Sequence, residues 1–224
     1  MYLIVKRFFD FIVALILLLV LAPLFLVLML LLGVTGEHKV FYLQDRVGYK
    51  NNIFRIWKFA TMLENSPNIG TGDITIRNDP RLIPMGKFLR KTKLNELPQL
   101  INVLIGDMSL VGPRPLMYKG FERYPLQVQQ IIYNVKPGIT GIGSVVFRDE
   151  EKMVTASDNY EATYQAINNY KGQLELWYQQ HFGFYTDFML MFLTLWVLVN
   201  PESRIIDRIF PDLPRSKMVE SEKI

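Results

Sequence analysis

Two short motifs in the middle of the chain carry side chains suited to phosphate chemistry. Asn95 and Glu96 stand where a helical pattern begins, and free amides at a helix N-terminus attract phosphate. Gly112 to Pro115 holds Arg114 between two prolines, so its guanidinium loses little entropy on gripping a phosphate. Each motif also has a structural interpretation. Asn95 is a good helix N-cap with Glu96 in the first turn, and Arg114 fits an ordinary turn as a solvated side chain.

Basic residues recur around these motifs. They are Lys58, Arg81, Arg90, Lys91, Lys93 and Arg114. Such a set suits a diphosphate substrate or anionic lipid. Nucleic acid is not expected as a partner, because the formal charge is only +4 and no nucleic-acid motif occurs.

The composition removes several kinds of site. The chain has 224 residues and 0 cysteines, so disulfides, cysteine-based zinc sites and thiol nucleophiles are excluded. Only His38 and His181 are available for a histidine metal site or a catalytic triad. With 50% hydrophobic residues, the chain is too apolar to be disordered.

Local patterns predict the elements that must position the candidate residues. Val40 to Leu43 and Ile53 to Phe59 are typical of short strands, and Glu64 to Asp79 of a loop. Helices are expected at Leu82 to Thr92, Asn95 to Ile105 with a stop at Gly106, Tyr124 to Val135, and Asp158 to Gln180 capped by Ser157 or Asp158. After Pro201 we expect a polar, frayed tail.

The segment from Phe11 to Leu32 contains no charged residue. As a helix rising about 1.5 Å per residue, it is long enough to cross a hydrocarbon core of roughly 30 Å. A retained membrane segment is favoured over a cleaved signal peptide, whose apolar core is shorter. Pro23 breaks the segment, and basic residues flank both ends, so a re-entrant helix and a kinked spanning helix both remain open.

A second apolar feature lies near the C-terminus. Phe184, Phe188, Phe192 and Trp196 recur every four residues, which places an aromatic stripe on one helix face. The apolar run is too short to span a bilayer. An interfacial helix and a core helix of a soluble domain are the two interpretations.

Taken in order, the motifs of residues 1 to 143 resemble those of the bacterial sugar transferases, the monotopic phosphoglycosyl transferases. The motifs are Lys6 to Asp10, the Pro23-broken helix, Gln44 to Gly48, Trp57 to Met62, Asp79 to Arg81, Gly86 to Thr92, Leu94 to Leu100, Gly106 to Pro115 and Lys136 to Gly141. Many motifs in one order make the resemblance specific, and the chain resembles the compact members of the family.

The resemblance implies transfer of a sugar-1-phosphate from a UDP-sugar to polyprenyl phosphate, with release of UMP. It implies Mg2+ as cofactor and a covalent intermediate on an Asp of an Asp-Glu dyad. It also implies a re-entrant helix broken at Pro23. Arg90 and Arg114 match family positions suited to the phosphates, and Lys58 and Arg81 are further candidates.

The dyad position departs from the family pattern, because Asn95 precedes Glu96 where the family has Asp. A neutral amide is a poor nucleophile and a weak magnesium ligand. Four interpretations follow: Glu96 takes the covalent role and binds the metal, a natural mechanism omits the covalent step, the chain is an engineered Asp-to-Asn variant, or it is a non-catalytic binding or scaffolding protein. After Gly141 the chain again departs from the family, so residues beyond it carry no prediction about the sugar.

The sequence thus predicts an α/β protein in a loose sense, mostly helical with few short strands. The expected domains are a re-entrant membrane helix over 1–36, a catalytic domain with interfacial helices over 37–200, and a tail over 201–224. The expected location is the cytoplasmic face of a bacterial inner membrane. Expected partners are a UDP-sugar, polyprenyl (undecaprenyl) phosphate, membrane lipid and, as an open alternative, a second copy in a homodimer.

Overall fold

The computed structural model describes residues 1–66, 69, 79–148, 160–200, 203 and 205–215. Of these residues 58% are helical and 12% lie in strands, so the prediction of a mainly helical chain with few short strands is confirmed. The helices of this part are α1 Tyr2–Val20, α2 Ala22–Val34, α3 Gly86–Lys91, α4 Gln99–Ile105, α5 Tyr118–Glu122, α6 Leu126–Ile131, α7 Ile142–Val146, α8 Tyr160–His181, α9 Phe184–Val199 and α10 Ile205–Ile209.

The described strands form two small sheets. β1 Phe41–Val47 and β2 Ile53–Phe59 make an antiparallel hairpin, and β3 Ser109–Val111 pairs in parallel with β4 Gly138–Thr140. Both predicted strands are present. The first runs on to Val47 because its pairing continues to the hairpin turn, where Val47 faces Ile53.

The N-terminal apolar segment is a pair of helices. Within the described residues no single helix is long and apolar enough to span a bilayer, and α1 and α2 meet that requirement only together, bent by 62°. The bend falls at Leu21, and Pro23 lies in the first turn of α2, where its missing amide costs no internal hydrogen bond.

One side of α1 is fastened to the rest of the chain by polar contacts. The carboxylate of Asp10 accepts hydrogen bonds from the Ser109 hydroxyl at 2.7 Å and the Leu110 amide at 3.2 Å. The Arg7 guanidinium donates to the carbonyls of Val103 and Leu104 at the end of α4. Buried charges of this kind need partners, so these bonds fix α1 on β3 and α4.

The aromatic stripe of α9 lies on the surface. Phe184 stacks on Phe188, and Phe192 stacks on Trp196. All four rings are exposed, whereas the opposite face of α9 enters the main core through Leu190, Leu193 and Val197. One face of α9 therefore packs in the core, as the core-helix interpretation expects, and membrane contact of the exposed face stays a prediction.

Three predicted helices differ from the structure, and one of them, expected from Tyr124 to Val135, is observed only as α6 Leu126–Ile131. The expected helix from Asn95 to Ile105 is a 3-10 turn, Leu94–Glu96, followed by α4, because Pro98 lacks an amide and starts the second element. Gly106 ends α4 in a left-handed conformation, as predicted. The helix expected from Leu82 begins only at Gly86.

The frayed-tail prediction is wrong for residues 205–215. Ile206 and Phe210 are buried in the main core, and the indole of Trp177 donates to Asp212 at 2.9 Å. Apolar residues at helical spacing drive this docking. The helix predicted from Asp158 is observed as α8, and its proposed caps Ser157 and Asp158 lie outside the described residues, as does most of the predicted loop from Glu64 to Asp79.

Candidate active site

The β1–β2 hairpin brings two cations to one face. Arg46 pairs with Phe54, and Lys58 pairs with Tyr42. Because side chains alternate along a strand and paired residues share a face, Arg46 and Lys58 point to the same side of the hairpin. Arg46 was not predicted as a site residue, although its period-two spacing from Gln44 and Tyr42 would have identified this face.

Glu96 is brought to the hairpin by the 3-10 turn, which packs on β2. The turn begins after Lys93, which adopts a left-handed backbone with φ of 60°. Glu96 Oε1 accepts a hydrogen bond from Arg114 Nη2 at 2.9 Å. The Glu96 side chain is 16% exposed and that of Arg114 is 44% exposed, so the carboxylate is the more enclosed partner.

Arg114 is held by close backbone contact between its loop and β4. The Gly138 amide donates to the Pro113 carbonyl at 2.9 Å. A Cβ on Gly138 would lie 2.1 Å from the Gly112 amide nitrogen, closer than any side chain tolerates. Glycine at this position is therefore what allows the arginine loop to lie against β4.

A small cleft, with about 10 Å³ of space for the centre of a water-sized molecule, opens between the hairpin and the arginine loop. Its lining residues are Arg46, Ile56, Lys58, Gln99, Arg114, Pro115 and Gly138. Three cationic side chains and one amide therefore face this space. Crowded cations of this kind suit a ligand with several negative oxygens.

The charges around the cleft shift the pKa values of its groups. Burial favours the protonated form of Glu96, but the charges of Arg114 and Lys58 outweigh it and lower the pKa of Glu96 to about 2. Burial and then the Arg46 charge lower the pKa of Lys58 to about 7. Burial and the Arg114 charge lower the pKa of Arg46 to about 10. At neutral pH Glu96 is therefore ionised, and Lys58 loses its proton more readily than an ordinary lysine.

The structure brings Lys58, Glu96 and Arg114 together, and Arg90 is near enough for its charge to lower the pKa of Lys58. Arg81 lies elsewhere. Its guanidinium is 3% exposed, donates to both carboxylate oxygens of Asp79, and does not line the cleft. Its predicted contact with phosphate stays a prediction, and its observed contacts are structural.

Asn95 is not a helix N-cap, since Lys93 holds the cap position and makes no side-chain cap bond. The Asn95 side chain is buried, and its Oδ1 atom accepts no hydrogen bond. A buried oxygen without a hydrogen-bond partner among the described residues is a costly arrangement, and this one lies one residue before the candidate catalytic carboxylate.

The residues of this turn fit magnesium only together with a substrate. In the described part of the chain, no group of three or more acidic or histidine side chains surrounds a common point. Glu96 supplies one carboxylate, and Asn95 Oδ1 is an oxygen without a partner on the same turn. Magnesium is commonly held by one or two carboxylates plus phosphate oxygens, so Glu96 suits an ion that arrives on a diphosphate.

Comparison with known proteins places these residues in a family context. The model of the family described as bacterial sugar transferase matches residues 1–201. The undecaprenyl-phosphate galactose phosphotransferase of Salmonella typhimurium is 32% identical over 209 residues, which is 87% of this chain and 40% of that protein. The exopolysaccharide production protein ExoY of Sinorhizobium fredii is 33% identical over 164 residues, 67% of this chain and 72% of that protein.

A third relative is the UDP-N-acetylgalactosamine-undecaprenyl-phosphate N-acetylgalactosaminephosphotransferase of Aeromonas hydrophila. It is 38% identical over 147 residues, which is 65% of this chain and 34% of that protein. The chain thus spans well under half the length of several relatives, and 72% of a shorter one.

Proposed function

Because the chain belongs to the bacterial sugar transferase family, we propose that it transfers a sugar-1-phosphate from a UDP-sugar to polyprenyl phosphate and releases UMP. Undecaprenyl phosphate is the proposed acceptor, since it appears in the names of relatives. The reaction would begin the membrane-bound assembly of a bacterial glycan. The observation that carries this proposal is the ionised Glu96 carboxylate bonded to Arg114 at the edge of a cleft lined by Arg46 and Lys58.

In the proposed first step, Glu96 Oε2 attacks the phosphorus that bears the sugar. The bond from that phosphorus to the bridging diphosphate oxygen breaks, and UMP leaves with the electron pair. In the second step an oxygen of polyprenyl phosphate attacks the same phosphorus and returns Glu96 to its carboxylate form. Arg114 bonds to Oε1, and Oε2 accepts no hydrogen bond from the described residues, so one oxygen is held while the other is available.

The cations of the cleft serve binding and positioning. Phosphoryl transfer depends mainly on in-line placement and on stabilising charge at the phosphate oxygens. Arg46, Arg114 and Lys58 line one space and would contact the diphosphate, with Arg90 adding charge nearby. When bound, magnesium supplies further charge neutralisation, and Glu96 with Asn95 Oδ1 would hold it.

Membrane attachment through α1, α2 and α9 would bring the lipid acceptor to the cleft. Leu26, Val27 and Leu30 of α2 are exposed, as are Phe8 of α1 and Phe184 of α9. Apolar patches of this extent favour contact with a membrane. We place the protein at the cytoplasmic face of the inner membrane, with the 62° bend at Leu21 letting the helix pair re-enter the leaflet it came from.

Glu96→Gln tests the proposed nucleophile. Detergent-solubilised protein is incubated with magnesium, undecaprenyl phosphate and each common UDP-sugar, and UMP is measured. Glu96→Gln should abolish UMP release, because an amide cannot attack the phosphorus. Glu122→Gln, which neutralises an exposed carboxylate of α5, should leave the rate unchanged. A wild-type protein that releases no UMP, while Asn95→Asp does, would contradict the proposed role of Glu96.

Asn95 supports a second candidate function, a non-catalytic protein that binds polyprenyl phosphate or organises a glycan-assembly complex. Its side chain is buried and neutral where the family has a carboxylate. On this view the wild-type protein binds undecaprenyl phosphate in nanodiscs without releasing UMP. UMP release that is lost in Glu96→Gln would exclude it.

A further inference from the structure

The loop that carries Arg114 has an unusually small number of backbone amide donors. Pro113 and Pro115 have no amide hydrogen, so this stretch donates few backbone bonds of its own. Four carbonyls of this stretch nevertheless accept hydrogen bonds from outside the loop. The donors are the Gly138 amide to Pro113 O at 2.9 Å, the Tyr133 hydroxyl to Arg114 O at 2.8 Å, Arg46 Nη1 to Pro115 O at 3.1 Å and the Val47 amide to Leu116 O at 2.8 Å.

The Tyr133 hydroxyl makes two of the loop's contacts. It donates to the Arg114 carbonyl and accepts from the Leu116 amide at 3.0 Å, and thus spans Pro115. The side chain is 1% exposed, and its ring stacks on Phe121 with centroids 5.8 Å apart. Burial raises the pKa of Tyr133, so the hydroxyl keeps its proton and donates throughout the neutral range.

The main chain of Tyr133 is hydrogen-bonded to the β1–β2 hairpin, which carries the other cations of the cleft. Its carbonyl accepts a hydrogen bond from the Lys50 amide at 2.8 Å, in the turn that joins β1 to β2. That hairpin carries Arg46 and Lys58. One residue outside the cleft is therefore bonded both to the Arg114 loop and to the hairpin.

We infer that Tyr133 is a positioning residue, which through its hydroxyl sets where the Arg114 guanidinium meets Glu96 and a diphosphate. This rests on the proposed function of the cleft as a diphosphate site. Tyr133 itself does not line the cleft, so its hydroxyl acts through the two hydrogen bonds that it makes with the arginine loop. Displacement of a binding group by about 1 Å is enough to reduce turnover roughly 100-fold.

The test is a double-mutant cycle between Tyr133→Phe and Arg114→Ala, read by UDP affinity and by kcat/KM for UMP release. Tyr133→Phe keeps the ring on Phe121 and removes only the hydroxyl. We expect UDP affinity to fall about tenfold and kcat/KM up to about 100-fold. In the Arg114→Ala background Tyr133→Phe should have no further effect, since residues that act through one group are not additive.

Two control variants separate positioning from stability. Tyr170→Phe removes a tyrosine hydroxyl that donates to another backbone carbonyl, that of Pro214 at 2.7 Å, and should leave both readouts unchanged. Phe121→Leu loosens the packing under Tyr133 but keeps the hydroxyl, and reports what loss of stability alone does. All assays use the folded fraction recovered by size exclusion in detergent.

The outcomes distinguish two failures. If wild type binds UDP and Tyr133→Phe behaves like Tyr170→Phe, the positioning role is wrong and the proposed function stands. A Tyr133→Phe effect that persists in Arg114→Ala, or that Phe121→Leu reproduces, also overturns the positioning role. If wild type neither binds UDP nor releases UMP, the proposed function fails and the positioning role fails with it.

Discussion

Lys6 and Asp187 lie 181 residues apart in the sequence and form an ion pair with side chains only 11% and 8% exposed. The hydroxyls of Tyr2 and Tyr178 donate to the same carboxylate at 2.6 and 2.7 Å. The start of α1 is thereby fastened to the first turn of α9, the helix that carries the aromatic stripe. The exposed apolar side chains of α1 and those of α9 are thus carried by helices joined through this one carboxylate.

Asp187→Asn should destabilise the protein by about 3–5 kcal/mol, because Lys6 is left as a buried charge without its counter-charge. The free energy of unfolding is measured by urea titration in detergent. Lys6→Met combined with Asp187→Asn should recover part of the loss, since the unpaired charge is removed. An unfolding midpoint of Asp187→Asn equal to wild type would contradict the role given to this pair.

UDP affinity should decrease as the pH rises above 7, because the pKa of Lys58 is lowered to about 7 by burial and by Arg46. Below this pH Lys58 is already protonated in the free cleft. Above it a proton must be taken up when the diphosphate binds, so affinity falls by up to about tenfold per pH unit. Calorimetry of UDP binding between about pH 6 and pH 9 measures the slope.

Lys58→Arg is the matched variant for this pH dependence, since a guanidinium stays charged across the whole range. Its UDP affinity should change little with pH. The free energy of unfolding should change with pH in the opposite direction to UDP affinity. The unfolded chain holds the Lys58 proton up to its ordinary pKa, so wild-type stability should increase between pH 7 and that value. A wild-type affinity independent of pH would contradict the assignment.

Substitution of Arg81 should mainly lower the stability of the protein, whereas substitution of Arg114 should mainly lower its affinity for UDP. Arg81→Met removes the guanidinium that donates to both carboxylate oxygens of Asp79, whose side chain is 1% exposed, and should lower the free energy of unfolding by about 3–5 kcal/mol with UDP affinity unchanged. In the ion pair with Glu96, the Arg114 side chain is 44% exposed. Arg114→Met should therefore lower the free energy of unfolding by at most about 1 kcal/mol, while it lowers UDP affinity. Loss of UDP affinity in folded Arg81→Met would restore Arg81 as a substrate-binding residue.

Local pattern predicted the parts of the fold that local forces decide. The β1–β2 hairpin follows from apolar and β-branched residues around a turn, and the end of α4 from a glycine that adopts φ of 100° at Gly106. The exposed aromatic face of α9 follows from four-residue spacing. The 3-10 turn before α4 was missed, because it depends on Lys93 adopting a left-handed backbone, which no local preference of lysine indicates.

The residues of the candidate site could be predicted only in part from the sequence. Glu96 and Arg114 are predicted from their residue types and neighbours. Their 2.9 Å contact is not, because it joins two segments whose relative position depends on the tertiary fold. Arg46 was not predicted as a site residue, because only the pairing of β1 with β2 places its side chain on the face that carries Lys58. The docking of residues 205–215 was missed because Ile206 and Phe210 lie among prolines and charges that suggest a solvated tail.

Asp10 connects α1 to the strand that precedes the arginine loop. Its carboxylate is bonded to Ser109 and Leu110 of β3, and the loop bearing Arg114 begins directly after that strand. These two bonds link the position of α1 to the start of the loop that carries Arg114. Under the proposed function, the surface that receives the exposed side of α1 would therefore also set the distance of Arg114 from the acceptor phosphate.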